Sequence, residues 1–248
     1  MKNRKKRLMK IGAVIAVIAV AGIAGGVVIC KGANRFELTV AGDLISKEED
    51  VNCMNSVEYD TKIQIQQDYD AVYGTDFWEK QYDGQYGYEI LARNTVEQLK
   101  YIHAVYDLAE ENGDVEDSCY EALEKRWKDG NAERSEKVKK GEVIYGLKEY
   151  TFQLYLDYEL STLKEKYCND TSREGMQLTE DEVLQHYQSR DWIFGGSEEK
   201  ADLETARIAV ERELREQKYD DMITQRENGS QVEGNMKDVN RYTLKNIQ

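Results

Sequence analysis

The chain has 248 residues, with 34 Lys or Arg, 48 Asp or Glu, two His, four Cys and no Pro. A third of the residues are charged and 40% are apolar, which excludes a disordered tail and a wholly membrane-embedded protein. The missing prolines exclude polyproline linkers and suit long helices, where an interior Pro costs about 3 kcal/mol. The net charge of −14 is unevenly divided. Residues 1–31 hold seven basic residues and no acid, whereas residues 32–248 hold 27 basic and 48 acidic ones, a net of −21. Such an acidic body repels phosphate backbones, which argues against nucleic acid as a partner.

In chain order, Lys2, Arg4, Lys5, Lys6, Arg7 and Lys10 precede an unbroken run of apolar and Gly residues over 11–30. At 1.5 Å per residue that run spans about 30 Å, the thickness of a bilayer core. The expectation is a basic cytoplasmic tail (1–10), a transmembrane anchor (11–30) and an extracytoplasmic helical domain (31–248), a single-pass protein of the cell membrane. Two other readings compete. Gly22-Ile23-Ala24 offers small residues for signal-peptide cleavage, although the run continues past it. Cys30 invites lipidation, but the bulky Ile29 before it does not suit a lipobox.

Phe36-Glu37-Leu38-Thr39-Val40 alternates and meets Gly42-Asp43, which predicts a short strand and turn. Ser46 lies three residues before Glu49, a capping box opening a helix over about 46–73. Gly74, Gly84 and Gly87 punctuate the stretch that follows. Leu91, Thr95, Leu99, Ile102, Tyr106 and Ala109 then recur at helical steps, and Gly113 stops them. Helices are expected over about 118–139 and 148–168, separated by Gly141-Glu142-Val143-Ile144-Tyr145-Gly146. Thr179 with Glu182 caps a short helix ending near 189. A further helix covers about 202–227, and a short strand begins near Val232. The fold class is therefore mainly α, an N-terminal transmembrane helix followed by a multi-helix domain with at most a small β element near the ends.

The chain is poor in catalytic signatures. Asp68, Asp70, Asp76 and Glu79 fall in the register of a calcium loop, but Val72 and Tyr73 replace an oxygen ligand and the turn glycine. His103 and His186 lack zinc-binding spacing and read as packing or surface residues. No nucleophile elbow, P-loop or dinucleotide fingerprint occurs. No catalytic residue, metal or cofactor is expected. Cys53, Cys119 and Cys168 are too widely spaced for a disulfide framework and read as buried thiols. Tyr145, Tyr150, Phe152, Tyr155 and Tyr158 crowd one region beyond what a single core stripe needs, so they are the candidate peptide-contact residues.

The order of these motifs over residues 36–228 resembles the Gram-positive, membrane-attached relatives of the SurA and PrsA chaperones. The matching pieces are Val40-Ala41-Gly42-Asp43-Leu44-Ile45-Ser46-Lys47-Glu48-Glu49, the aromatic Tyr73-Gly74-Thr75-Asp76-Phe77-Trp78, and Asn131 and Arg134 ahead of Gly141-Glu142-Val143-Ile144-Tyr145-Gly146. Leu178-Thr179-Glu180-Asp181-Glu182-Val183 with His186-Tyr187 completes the set. The resemblance implies a SurA N-terminal-like helical cradle that binds unfolded or secreted polypeptides. In those relatives a parvulin isomerase domain usually follows the last of these motifs, whereas here only about a dozen residues (193–204) fill its place. The cradle is then expected without isomerase chemistry. A peptidyl-prolyl isomerase-related foldase and a cell-envelope adaptor with one specific partner are the alternative functions.

Overall fold

The computed structural model describes residues 36–196 and 199–247. The expected fold is corrected at its first element. Among the described residues no helix is long and apolar enough to cross a membrane. The expected tail and anchor (1–10 and 11–30) lie outside the described residues. The described helices cannot span a bilayer because charges recur along them. The longest, α6 (Leu203–Gly229), carries Glu204, Arg207, Glu211 and Arg215 at successive turns, and each would be costly in hydrocarbon.

Those residues form seven α-helices, a three-stranded sheet and a two-stranded hairpin. Strand β1 (Leu38–Val40) pairs antiparallel with β2 (Asp43–Leu44) and, on its other side, with β5 (Val232–Gly234). Leu38 and Val40 are fully buried beneath the sheet. This sheet joins the start of the described chain to its end. Helix α1 (Lys47–Tyr69) opens on the Ser46 capping box and stops where Asp70 adopts a left-handed conformation (φ 51°).

A short 3₁₀ turn (Phe77–Glu79) leads into the hairpin of β3 (Gln81–Tyr82) and β4 (Gln85–Tyr86). The β content is therefore not confined to the chain ends. Helix α2 (Gly87–Glu111) forms the centre of the fold, with Leu91, Leu99, Val105 and Tyr106 fully buried. It packs against α1, α6, α4 and the final helix α7 (Met236–Asn246). Helices α3 (Tyr120–Lys139), α4 (Phe152–Asn169) and α5 (Glu180–Gln188) complete the set. Val183, Trp192, Ala206 and Val210 make a small separate core between α5 and the first half of α6.

Candidate functional site

Helix α3 is the least embedded of the long helices, because Leu123 is its only buried side chain. Its position comes instead from polar groups aimed at α4. Glu159 is their common acceptor. Arg126 donates from Nε to Oε1 at 3.0 Å and from Nη2 to Oε2 at 3.1 Å. The hydroxyls of Tyr106 and Tyr155 donate to the same carboxylate at 2.6 and 3.0 Å. One side chain thus ties α2, α3 and α4 together. Burial first, and then the charge of Glu159, pushes both tyrosine hydroxyls well above their usual range.

Further along α3, three side chains reach the loop that returns to α4. Asn131 Nδ2 donates to the Tyr150 carbonyl at 2.8 Å, and the Tyr150 N–H donates to Asn131 Oδ1 at 2.9 Å. Trp127 Nε1 donates to that carbonyl too, at 2.8 Å. Arg134 donates to the carbonyls of Tyr145, at 2.6 Å, and Leu147, and its guanidinium lies 4.8 Å from the Tyr150 ring centroid. These contacts explain why α4 starts at Phe152 rather than near 148. The residues before it belong to the clamp, and Thr151 caps the helix by accepting from the Leu154 N–H.

The five expected contact residues separate into two groups. Phe152 packs on Tyr120 and edge-on against Trp127, with ring centroids 5.6 Å apart in each pair. Tyr150 and Tyr155 are half-buried in the same seam. Tyr158 stacks on Tyr150 at 5.9 Å but stays 56% exposed, and Tyr145 is 87% exposed. Three neighbours add apolar surface that tyrosine counting missed: Val143 at 80% exposure, Leu147 and Leu154. The signal for Val143 was present in the β-prone run between Gly141 and Gly146, read above as a helix separator, and Leu147 follows it directly. A groove of about 320 Å3 lined by Trp127, Asn131, Ala132, Ser135 and Glu149 runs beside the loop. The site presents rings and aliphatic groups to solvent.

Other candidates lie elsewhere. His103 is buried on α2 between Glu49 (2.9 Å) and Asp43 (3.2 Å), and His186 stands edge-on to Trp192. Among the described residues no group of three or more His, Cys, Asp or Glu is placed to hold a metal ion. Cys53 and Cys168 are buried, but Cys119 is exposed, because it occupies the N-cap of α3 rather than a packed face.

The chain matches no family model. No solved structure matches it either. It is similar to the chaperone for lacto-N-biosidase of Bifidobacterium longum subsp. longum, with 31% identity over 195 residues. The match covers 78% of this chain and 70% of that relative. At that identity and coverage, the chain belongs to the lacto-N-biosidase chaperone family.

Proposed function

We propose that this protein is an extracytoplasmic chaperone dedicated to one secreted client, a glycosidase of the lacto-N-biosidase kind, and that it holds the client through the α3–α4 loop. The observation that carries the reading is the row of Val143, Tyr145 and Leu147, all exposed on a loop clamped by Asn131 and Arg134. A clamped apolar surface has already lost the conformational freedom that binding would otherwise take from it. The relative is named for one enzyme, which favours a single partner over general capture of unfolded chains. The basic residues ahead of the apolar run 11–30 support work outside the cell, and the acidic body keeps a loaded complex soluble. The SurA/PrsA-like motif order supports the same reading. The stretch between α5 and α6 is short and contributes Trp192 to the local core, so the reading includes no isomerase step.

The test is refolding of denatured B. longum lacto-N-biosidase with and without the full chain. The wild type is expected to raise the recovered activity. The triple variant Val143→Ser, Tyr145→Ser, Leu147→Ser is expected to lose about tenfold or more in potency, since each buried apolar side chain is worth about 1.5–3 kcal/mol. Equal recovery with and without the chain would overturn the reading. A pull-down then separates the two client modes: one stoichiometric partner fits a dedicated chaperone, and many unrelated ones fit a general holder.

A further inference from the structure

Residues 142–145 join Gly141 to Gly146 with no helix, turn or bend. Over 143–145 exposure alternates: Val143 and Tyr145 are exposed while Ile144 between them is half-buried, and Glu142 is exposed as well. That is the two-residue period of a β-strand, in a segment of β-branched and aromatic residues. The segment has no strand beside it. Among the described residues, nothing accepts from the N–H groups of Val143, Ile144 or Tyr145, and nothing donates to the carbonyls of Glu142, Val143 or Ile144. The Tyr145 carbonyl is occupied by Arg134, which fixes the inner side and leaves the rest of this edge open.

The charge around the segment narrows the partner. Over residues 133–149 there are five basic side chains (Arg134, Lys137, Lys139, Lys140, Lys148) and four acidic ones (Glu133, Glu136, Glu142, Glu149), a local net of +1 on a body whose net charge is −21. Lys137 and Lys139 pair with Glu133 and Glu136. Lys140 and Lys148 have no ion-pair partner among the described residues. The tip thus escapes the acidity of the rest of the body and carries two unpaired lysines, which complement an acidic surface and disfavour the same tip of a second copy.

We propose that residues 142–145 add as an extra strand to an open, acid-flanked sheet edge of the client, bonding main chain to main chain. This is strand addition, in which backbone bonds supply affinity and alternate side chains supply selectivity. It rests on the chaperone reading above and names how that site engages its client. A folding intermediate with an unpaired edge is prone to aggregate, and a strand supplied in trans would cover that edge until the client completes its own sheet.

Hydrogen exchange on the full chain, alone and mixed with B. longum lacto-N-biosidase diluted from denaturant, tests the proposal. In the complex the amides of Val143, Ile144 and Tyr145 are expected to slow at least about tenfold. The double variant Lys140→Glu, Lys148→Glu is expected to weaken the complex about tenfold while its own unfolding midpoint stays unchanged, because both side chains are solvated. A complex in which these amides exchange as fast as in the free chain would overturn strand addition and leave the chaperone reading standing. No complex at all would remove both. Protection that arises without client, together with a doubled particle mass, would assign the edge to a second copy and also overturn the proposal.

Discussion

Asn131 satisfies both main-chain polar groups of Tyr150, accepting from its N–H at 2.9 Å and donating to its carbonyl at 2.8 Å. A side-chain amide that closes such a ring acts like one rung of a β-ladder, so a helix holds a loop as a strand would. The loop has no core of its own. Its order depends on this amide, on the Arg134 fork and on the Trp127 indole.

Asn131→Ala removes two hydrogen bonds from a half-buried peptide group, each worth about 0.5–1.5 kcal/mol net. The variant is expected to lose about 1–3 kcal/mol against urea. Amide exchange over 141–150 should accelerate while that of α2 is unchanged. If the loop amides keep wild-type rates, the Asn131 clamp is not what orders it. Refolding assistance should fall even though every exposed apolar side chain is retained.

Glu159→Gln keeps the shape of the hub but removes the charge facing Arg126, which is 25% exposed against 13% for Glu159. Leaving a partly buried guanidinium without its counter-ion costs more than an exposed pair would. A loss of about 2–3 kcal/mol in urea unfolding is expected. Arg126→Met in the same background should recover part of it, since the stranded charge is then gone. Additive losses in that cycle would show that the two residues do not interact.

How much of this was legible in the sequence follows from what each element buries. Helices α2 and α6 were readable because their buried faces repeat over several turns, and α1 and α5 because the Ser46 and Thr179 capping boxes mark their starts. Helix α7 was not, since only Val239 and Thr243 are buried in its eleven residues, too few for a period to emerge. The 81–86 hairpin carried its signal in Asp83-Gly84, both at positive φ, but two-residue flanks leave no alternation to read. At the site, rings were counted without the contacts that sort them. Phe152 and Tyr155 build the seam, and only packing distinguishes them from the exposed Tyr145 and Tyr158.

Gly234 sits at φ 151° in β5, and a Cβ there would lie 2.6 Å from the Glu37 carbonyl oxygen across the β1–β5 pairing. That clash involves backbone, so the strand must move. Gly234→Ala is expected to cost about 1–3 kcal/mol and to loosen α7, which follows β5 directly. Amide exchange in α7 and an unchanged rate in α5 would be the signature. Equal acceleration in both helices would show that the sheet does not hold the chain ends locally.

Asp50 sets the expected pH dependence. Its side chain is 1% exposed on α1 and neither carboxylate oxygen has a hydrogen-bond partner. Thr243 Oγ1 of α7 is likewise buried and unpartnered. Burial first, and then the charge of Glu49, pushes the Asp50 carboxyl up to about 7. The unfolded chain releases this proton near pH 4, so between about 4 and 7 the folded state holds a proton that the unfolded state has lost. Stability therefore falls as pH rises through that window, by at most about 1.4 kcal/mol per unit from this group. His103 acts in the same direction. Burial opposes its charge, but the hydrogen bond it donates to Glu49 and the charges of Glu49, Asp43 and Asp107 raise it above its usual value. Its contribution is complete below about 6.5 and is lost as pH rises through the raised value. Asp50→Asn is expected to flatten the urea-unfolding profile between pH 5 and 8 and to gain about 1–3 kcal/mol at pH 8, where the wild type carries a buried, unpaired carboxylate. In the wild type, amide exchange in α7 should accelerate above pH 7 beyond its intrinsic rate, because α7 packs on α1, the helix that carries Asp50. Parallel profiles for the variant and the wild type would show that the Asp50 carboxylate is not the group that titrates.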